Sequence, residues 1–184
     1  MIVLAIDPGD VWDGWVVLQD GETILDAGVT NDRDQMLRLA RLVGQRCWWT
    51  PQGKAFTGRP DVAIDAVVIE NIEPRFGQTQ GWEVFNTARY IGRMQEAFLP
   101  LPVELLTRSG VLGSLGIVTR RAKKTDPKVN ADAAVRTLLI DRWGTGSEKK
   151  GGPLHGITSH AWQALAVAVV ASDALPIDQL AAPL

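Results

Sequence analysis

At 184 residues, 46% hydrophobic and 22% charged, the chain has the length and balance of one globular domain with its own core, which excludes a disordered polar chain. Its single cysteine, Cys47, excludes an internal disulfide and fits a reducing compartment; with no metal-ligand neighbour at suitable spacing it reads as a small packed hydrophobe. The net charge of −2 does not by itself announce a nucleic-acid partner, and no apolar run approaches the roughly 18 residues of a spanning helix.

The opening MIVLAIDPGD has no basic leader, so a cytoplasmic location without a membrane partner is expected. IVLAID is apolar throughout, as in a strand covered on both faces, and DPGDVWDG turns the chain back into WVVLQD. Asp20-Gly21, a dipeptide suited to a tight hairpin turn, leads on to ETILDAGVT, completing a three-stranded meander. Asn31 is placed to cap a helix from about Asp32 to Cys47, with Asp32 and Asp34 at its positive end and Met36, Leu39, Ala40 and Val43 on one face. TPQGKAFTGRPD reads as a loop from its Pro and Gly content.

DAVVIEN is a fourth apolar strand, followed by the glycine-bearing connection PRFGQTQG. A second helix is predicted from about Trp82 to Phe98, ended by Pro100 and Pro102, with VELLT as the fifth strand. SGVLGSLGIVTRRAKKTD, Gly-rich and then basic, is expected to be irregular and mobile. Pro127 suits the first turn of a third helix reaching about Trp143, and GTGSEKKGGP reads as a linker. A last, mostly apolar helix is expected from near Thr158, capped by the hydroxyl of Thr158 or Ser159, to near Asp173. Residues 1–173 would then form the domain and 174–184 a loosely held tail. The order βββαβαβαα describes an α/β fold with a five-stranded mixed sheet flanked by helices.

Two acids stand out by context. Asp7 ends the first strand just before Pro8-Gly9, and Glu70 ends VVIE in the same way. Carboxylates at the tips of neighbouring apolar strands repel each other, and a divalent cation removes that conflict; oxygen ligands favour Mg²⁺ or Mn²⁺. Each acid could equally just end a strand or accept backbone hydrogen bonds. In SHAWQALAVAVV, His160, Gln163, Ala164 and Val167 share one helical face, presenting two polar groups to whatever that helix covers. Arg120, Arg121, Lys123, Lys124 and Lys128 are opposed locally only by Asp126 and make either a phosphate footprint or a solvated surface. Trp12, Trp15 and Trp82 lie near turns or helix starts, where they would stack on unpaired bases or pack in the core.

IDPGDVWDGW resembles the opening strand and hairpin of the RuvC-type Holliday-junction resolvases, of the ribonuclease H-like superfamily, with Asp7 at the first catalytic acid. VVIEN resembles their second acidic strand, and SHAWQALAVAVV their C-terminal helix, in which two acids three residues apart precede an Ala-Leu-Ala-Val-Ala run. His160 stands at the first of those acids and Gln163 at the last, where Gln cannot supply charge. No aromatic wedge follows Glu70 at the family's short spacing; Phe76 is the nearest, and Glu73 is either an accessory acid or a surface ion-pairing residue.

The resemblance implies a ribonuclease H-like fold and a homodimer that nicks two opposed strands of a four-way DNA junction. It implies two Mg²⁺ or Mn²⁺ ions with Asp7, Glu70, His160 and, on the same helical face, Gln163 as the metal residues, and Asp7, Glu70 and His160 as catalytic. Phosphates would meet Arg120, Arg121, Lys123, Lys124 and Lys128, and DNA would also meet Phe76. The helix from Trp82 to Phe98 resembles the family's dimerisation helix, although Val84, Phe85, Ala88, Ile91 and Phe98 could all be core. Other readings are a nuclease of this fold acting on a flap or an RNA–DNA hybrid, and a non-catalytic DNA-binding module. An ATP-binding fold of the actin and sugar-kinase type needs a second such domain and a second Gly-rich phosphate loop, and the chain shows neither.

Overall fold

The computed structural model describes residues 1–44, 48–52, 55–59, 61–73, 81–119, 129–145 and 151–174. Strands β1 (Ile2–Pro8), β2 (Asp13–Gln19) and β3 (Thr23–Thr30) form the expected antiparallel meander. Asp20 and Gly21 both adopt left-handed φ, 51° and 70°, and Glu22 N donates to Gln19 O at 3.0 Å, which is the turn that the Asp-Gly pair suits. Strands β6 (Ala66–Asn71) and β7 (Val103–Thr107) add in parallel on the other side of β1, giving the order β3-β2-β1-β6-β7. Five strands with both antiparallel and parallel pairs make the mixed sheet that the sequence predicts.

Alternation along the strands divides the interior into two layers. Val3, Ala5, Val16, Leu18 and Val68 face helices α3 (Arg108–Ser114), α4 (Ala131–Trp143) and α5 (Ala161–Ala174). Leu4, Ile6, Trp15, Val17, Val67 and Ile69 face α1 (Arg33–Val43) and α2 (Trp82–Phe98). Helix α5 is apolar on all sides because it is covered on all sides, with every residue from Ala161 to Ala171 buried except Gln163. Each fully buried Val or Leu contributes about 1.5–3 kcal/mol of transfer free energy, so this helix anchors whatever precedes it.

Several expectations are corrected. The segment read as a loop contains a separate hairpin, β4 (Trp48–Gln52) and β5 (Ala55–Arg59). Its Pro is tolerated because the sheet has only two strands, and Trp48 is fixed by the core, its Nε1 donating to Asp26 Oδ2 at 2.7 Å. Helix α1 is capped by Asp32 rather than Asn31, since the Asp32 carboxylate accepts from Gln35 N at 2.9 Å, and it ends at Val43; Cys47 lies outside the described residues.

The Gly-rich stretch after β7 opens with α3 rather than an irregular segment, because Thr107 Oγ1 caps it by accepting from Gly110 N. Helix α4 starts at Ala131 under an Asn130 cap, beyond Pro127, which is not among the described residues. Helix α5 starts at Ala161 rather than Thr158, because Ser159 turns to φ 44° and breaks the run, and it continues to Ala174. Helix α2 and strand β7 match their predicted bounds. Residues 175–184, the bulk of the expected tail, lie outside the described residues.

Candidate active site

In the parallel pair of β1 and β6, Ile6 lies opposite Ile69, so Asp7 and Glu70 are each the next residue along and point to the same face. That face is covered by α5. Both carboxylates are buried, each 8% exposed. Burial and the neighbouring charge of Asp7 push the Glu70 carboxyl up from 4.5 to about 7, against the opposing pull of Arg108.

His160, one residue before α5, reaches back so that its Nδ1 and Asp7 Oδ2 stand 2.6 Å apart. The Asp7 hydrogen bond raises the histidine above its ordinary range, burial working against it. Glycines make this approach possible. A Cβ on Gly14 would lie 2.2 Å from the His160 carbonyl carbon, and one on Gly9 would lie 2.7 Å from the ring Cε1. The hydrogen bond leaves Asp7 Oδ1 and His160 Nε2 for other partners.

Glu70 meets a different partner. Arg108, the first residue of α3 and one step past the Asn71–Thr107 register pair, donates from Nη1 to Glu70 Oε1 at 3.2 Å and to Gln163 Oε1 at 3.1 Å. Its Nη2 donates to Asp132 Oδ1 in the first turn of α4, and Gln163 Nε2 donates to the same oxygen at 3.2 Å. Four residues from four elements are thus tied through one guanidinium.

Asp13 lies on the opposite face, accepting from Tyr90 Oη of α2 at 2.7 Å while its other oxygen has no partner among the described residues. Burial pushes it up to about 6, with Tyr90 and Arg33 opposing and Asp7 reinforcing. Arg33 stacks over Tyr90 and donates to the carbonyls of Gly9 and Asp10 at 3.0 and 3.1 Å, pinning the turn that follows Asp7. Arg33, Asn86, Arg89, Tyr90 and Arg93 line a cleft of about 240 Å³ beside that turn.

Asp7, Glu70, His160 and Gln163 therefore gather at one end of the sheet. Among the described residues, however, no three His, Cys, Asp or Glu side chains converge as a set that could hold a metal ion. Two buried carboxylates, one of them raised chiefly by burial and then by the charge of the other, fit a hard divalent cation in donor chemistry, and Arg108 now partly meets that need. Arg120, Arg121, Lys123, Lys124, Lys128 and Phe76 lie outside the described residues.

Glu73 accepts from Ser109 N and Oγ at the start of α3 and forms no ion pair among the described residues. Arg108, Asp132 and Asp13 do not stand out in the sequence. Arg108 carries a usable signal all the same, since it follows a strand parallel to the one bearing Glu70. Asp132 resembles an ordinary acid in a helix's first turn. On α2, Ile91 and Phe98 are core, Val84 is half-buried, and Trp82, Phe85 and Ala88 are exposed. Trp15 is core, its ring 5.1 Å from that of Trp48, and Trp12 is exposed.

No protein-family model matches the chain, and no curated protein sequence does either. Among solved structures, Thermus thermophilus RuvC is similar over 92% of this chain and 92% of its own, with a TM-score of 0.57 and 19% identity. T. thermophilus RuvC in complex with a Holliday junction substrate is similar over 92% and 91%, with a TM-score of 0.54 and 17% identity. The chain thus has the ribonuclease H-like fold of these structures. Among the described residues no helix is long and apolar enough to cross a membrane.

Proposed function

We propose that this chain is a RuvC-type endonuclease that nicks four-way DNA junctions by metal-dependent phosphodiester hydrolysis. The observation that carries the reading is the pair of buried carboxylates, Asp7 and Glu70, side by side at the tips of parallel strands on this fold. Such a pair is a poor way to stabilise a protein and a good way to hold a divalent cation.

Asp7 and Glu70 would hold Mg²⁺ or Mn²⁺ through their carboxylate oxygens, with His160 and Gln163 adjoining. When bound, the metal supplies polarisation of a phosphoryl oxygen and activation of water. His160 orients Asp7 and keeps a proton at Nδ1, while the packing of α5 holds His160 in place.

Phosphates would be met by Lys123, Lys124 and the neighbouring arginines, and by Arg33, Arg89 and Arg93 around the cleft beside Asp7's turn. A homodimer suits a junction with two symmetric strands to cut. Trp82 and Phe85, 72% and 59% exposed on α2, offer apolar surface for it.

The test is incubation with a synthetic four-way junction, a linear duplex and an RNA–DNA hybrid, each with Mg²⁺ or Mn²⁺. Paired symmetric nicks in the junction alone are expected. Cleavage of the hybrid alone would assign another substrate to the same site, and binding without cleavage would make the chain a DNA-binding module.

A further inference from the structure

We infer that Arg108 is a built-in counter-cation that occupies Glu70 until a divalent ion displaces it, and that Asp132 is the partner it keeps as it moves out. The inference rests on the metal-dependent reading of Asp7 and Glu70 and adds how the ion enters.

A guanidinium does not lose its proton, so Arg108 cannot vacate Glu70 by neutralisation, only by moving. An ion ligated by Glu70 and a guanidinium 3.2 Å from Glu70 Oε1 would be like charges a few ångströms apart. The side chain has somewhere to go. Arg108 is 34% exposed and its second partner, Asp132, is 68% exposed, whereas Glu70 is buried. Its remaining partner, Gln163, is neutral: the amide accepts from Arg108 and donates to Asp132 without adding charge. An acid at position 163 would bind Arg108 more tightly inside the site and make its departure costlier. The departure of this position from the acid of the resolvase pattern then has a physical rationale.

Mn²⁺ binding by the full chain without DNA tests this, by calorimetry and by the spin-resonance signal of free Mn²⁺, with folding checked by circular dichroism. Arg108→Gln should bind Mn²⁺ on the order of tenfold tighter, since a unit positive charge near a divalent ion costs about that much even at high dielectric. Arg108→Lys, which keeps the charge, should stay near wild type, and Glu70→Gln should lose the site. Asp132→Asn, at an exposed position that tolerates change, should weaken Mn²⁺ binding, and the loss should shrink when Arg108 is already Gln. Unchanged or weaker binding by Arg108→Gln, with binding still dependent on Glu70, would overturn the inference alone. Mn²⁺ binding that is indifferent to Glu70→Gln would overturn the metal reading as well.

Discussion

Replacing Glu70 by Gln should stabilise the metal-free protein at alkaline pH and not at acid pH. The folded carboxyl is raised from 4.5 to about 7, chiefly by burial and then by Asp7. Between those values the folded chain holds a proton that the unfolded chain releases, so stability falls as pH rises through that window. The cost is absent below the unfolded value and complete above about 7. A shift from 4.5 to about 7, at 1.36 kcal/mol per unit, sets a ceiling of about 3 kcal/mol. For a chain of this size that is a rise in melting temperature of at most about 12 °C. Gln keeps an acceptor for Arg108, which also keeps Asp132. Asp13, raised to about 6, adds pH dependence of the same sign, but it is common to both proteins and cancels in the difference. The assay is thermal unfolding of both proteins in EDTA at pH 4 and pH 8. Equal melting temperatures at pH 8, or a less stable variant there, would refute the claim that Glu70 is held at a cost to folding. Adding Mn²⁺ at pH 8 should raise the melting temperature of wild type and leave Glu70→Gln nearly unmoved.

Asp7→Asn should lower junction cleavage by on the order of a thousandfold or more while junction binding, measured by gel shift, persists; near-normal cleavage would remove Asp7 from the chemistry. Gly14→Ala should destabilise by on the order of 3 kcal/mol, because its Cβ would meet His160 and Ala161 backbone atoms at 2.2–2.5 Å, which cannot yield as a side chain would. Gly113→Ala, with nothing within 4 Å, is the control for that melting experiment. Lys123→Ala with Lys124→Ala should reduce the slope of log affinity against log salt by about 0.9 for each phosphate that a lysine no longer neutralises; an unchanged slope would assign both lysines to idle surface.

How much is legible from residues alone follows from the range of the forces involved. The meander, its Asp20-Gly21 turn, α2, β7 and the apolar α5 are readable because periodicity and turn chemistry act between neighbours in the chain. Asp7 and Glu70 are readable too, since each ends an apolar strand, and a register set by hydrophobic alternation brings such ends together. The hairpin β4–β5 is not, because what holds Trp48 is Asp26, which comes from the distant meander. The start of α5 escapes local pattern because Ser159 adopts a left-handed turn, in which the next residue is His160, bonded to Asp7. Nor does local pattern show that Gln163, Asp132 and Glu70 share one arginine, for these residues come from four elements separated by as many as 93 positions. The fold class and the placing of Asp7 and Glu70 at strand ends are readable along the chain. That Arg108 meets Glu70 and His160 meets Asp7 is settled by packing, because charges interact through space between residues distant in the chain.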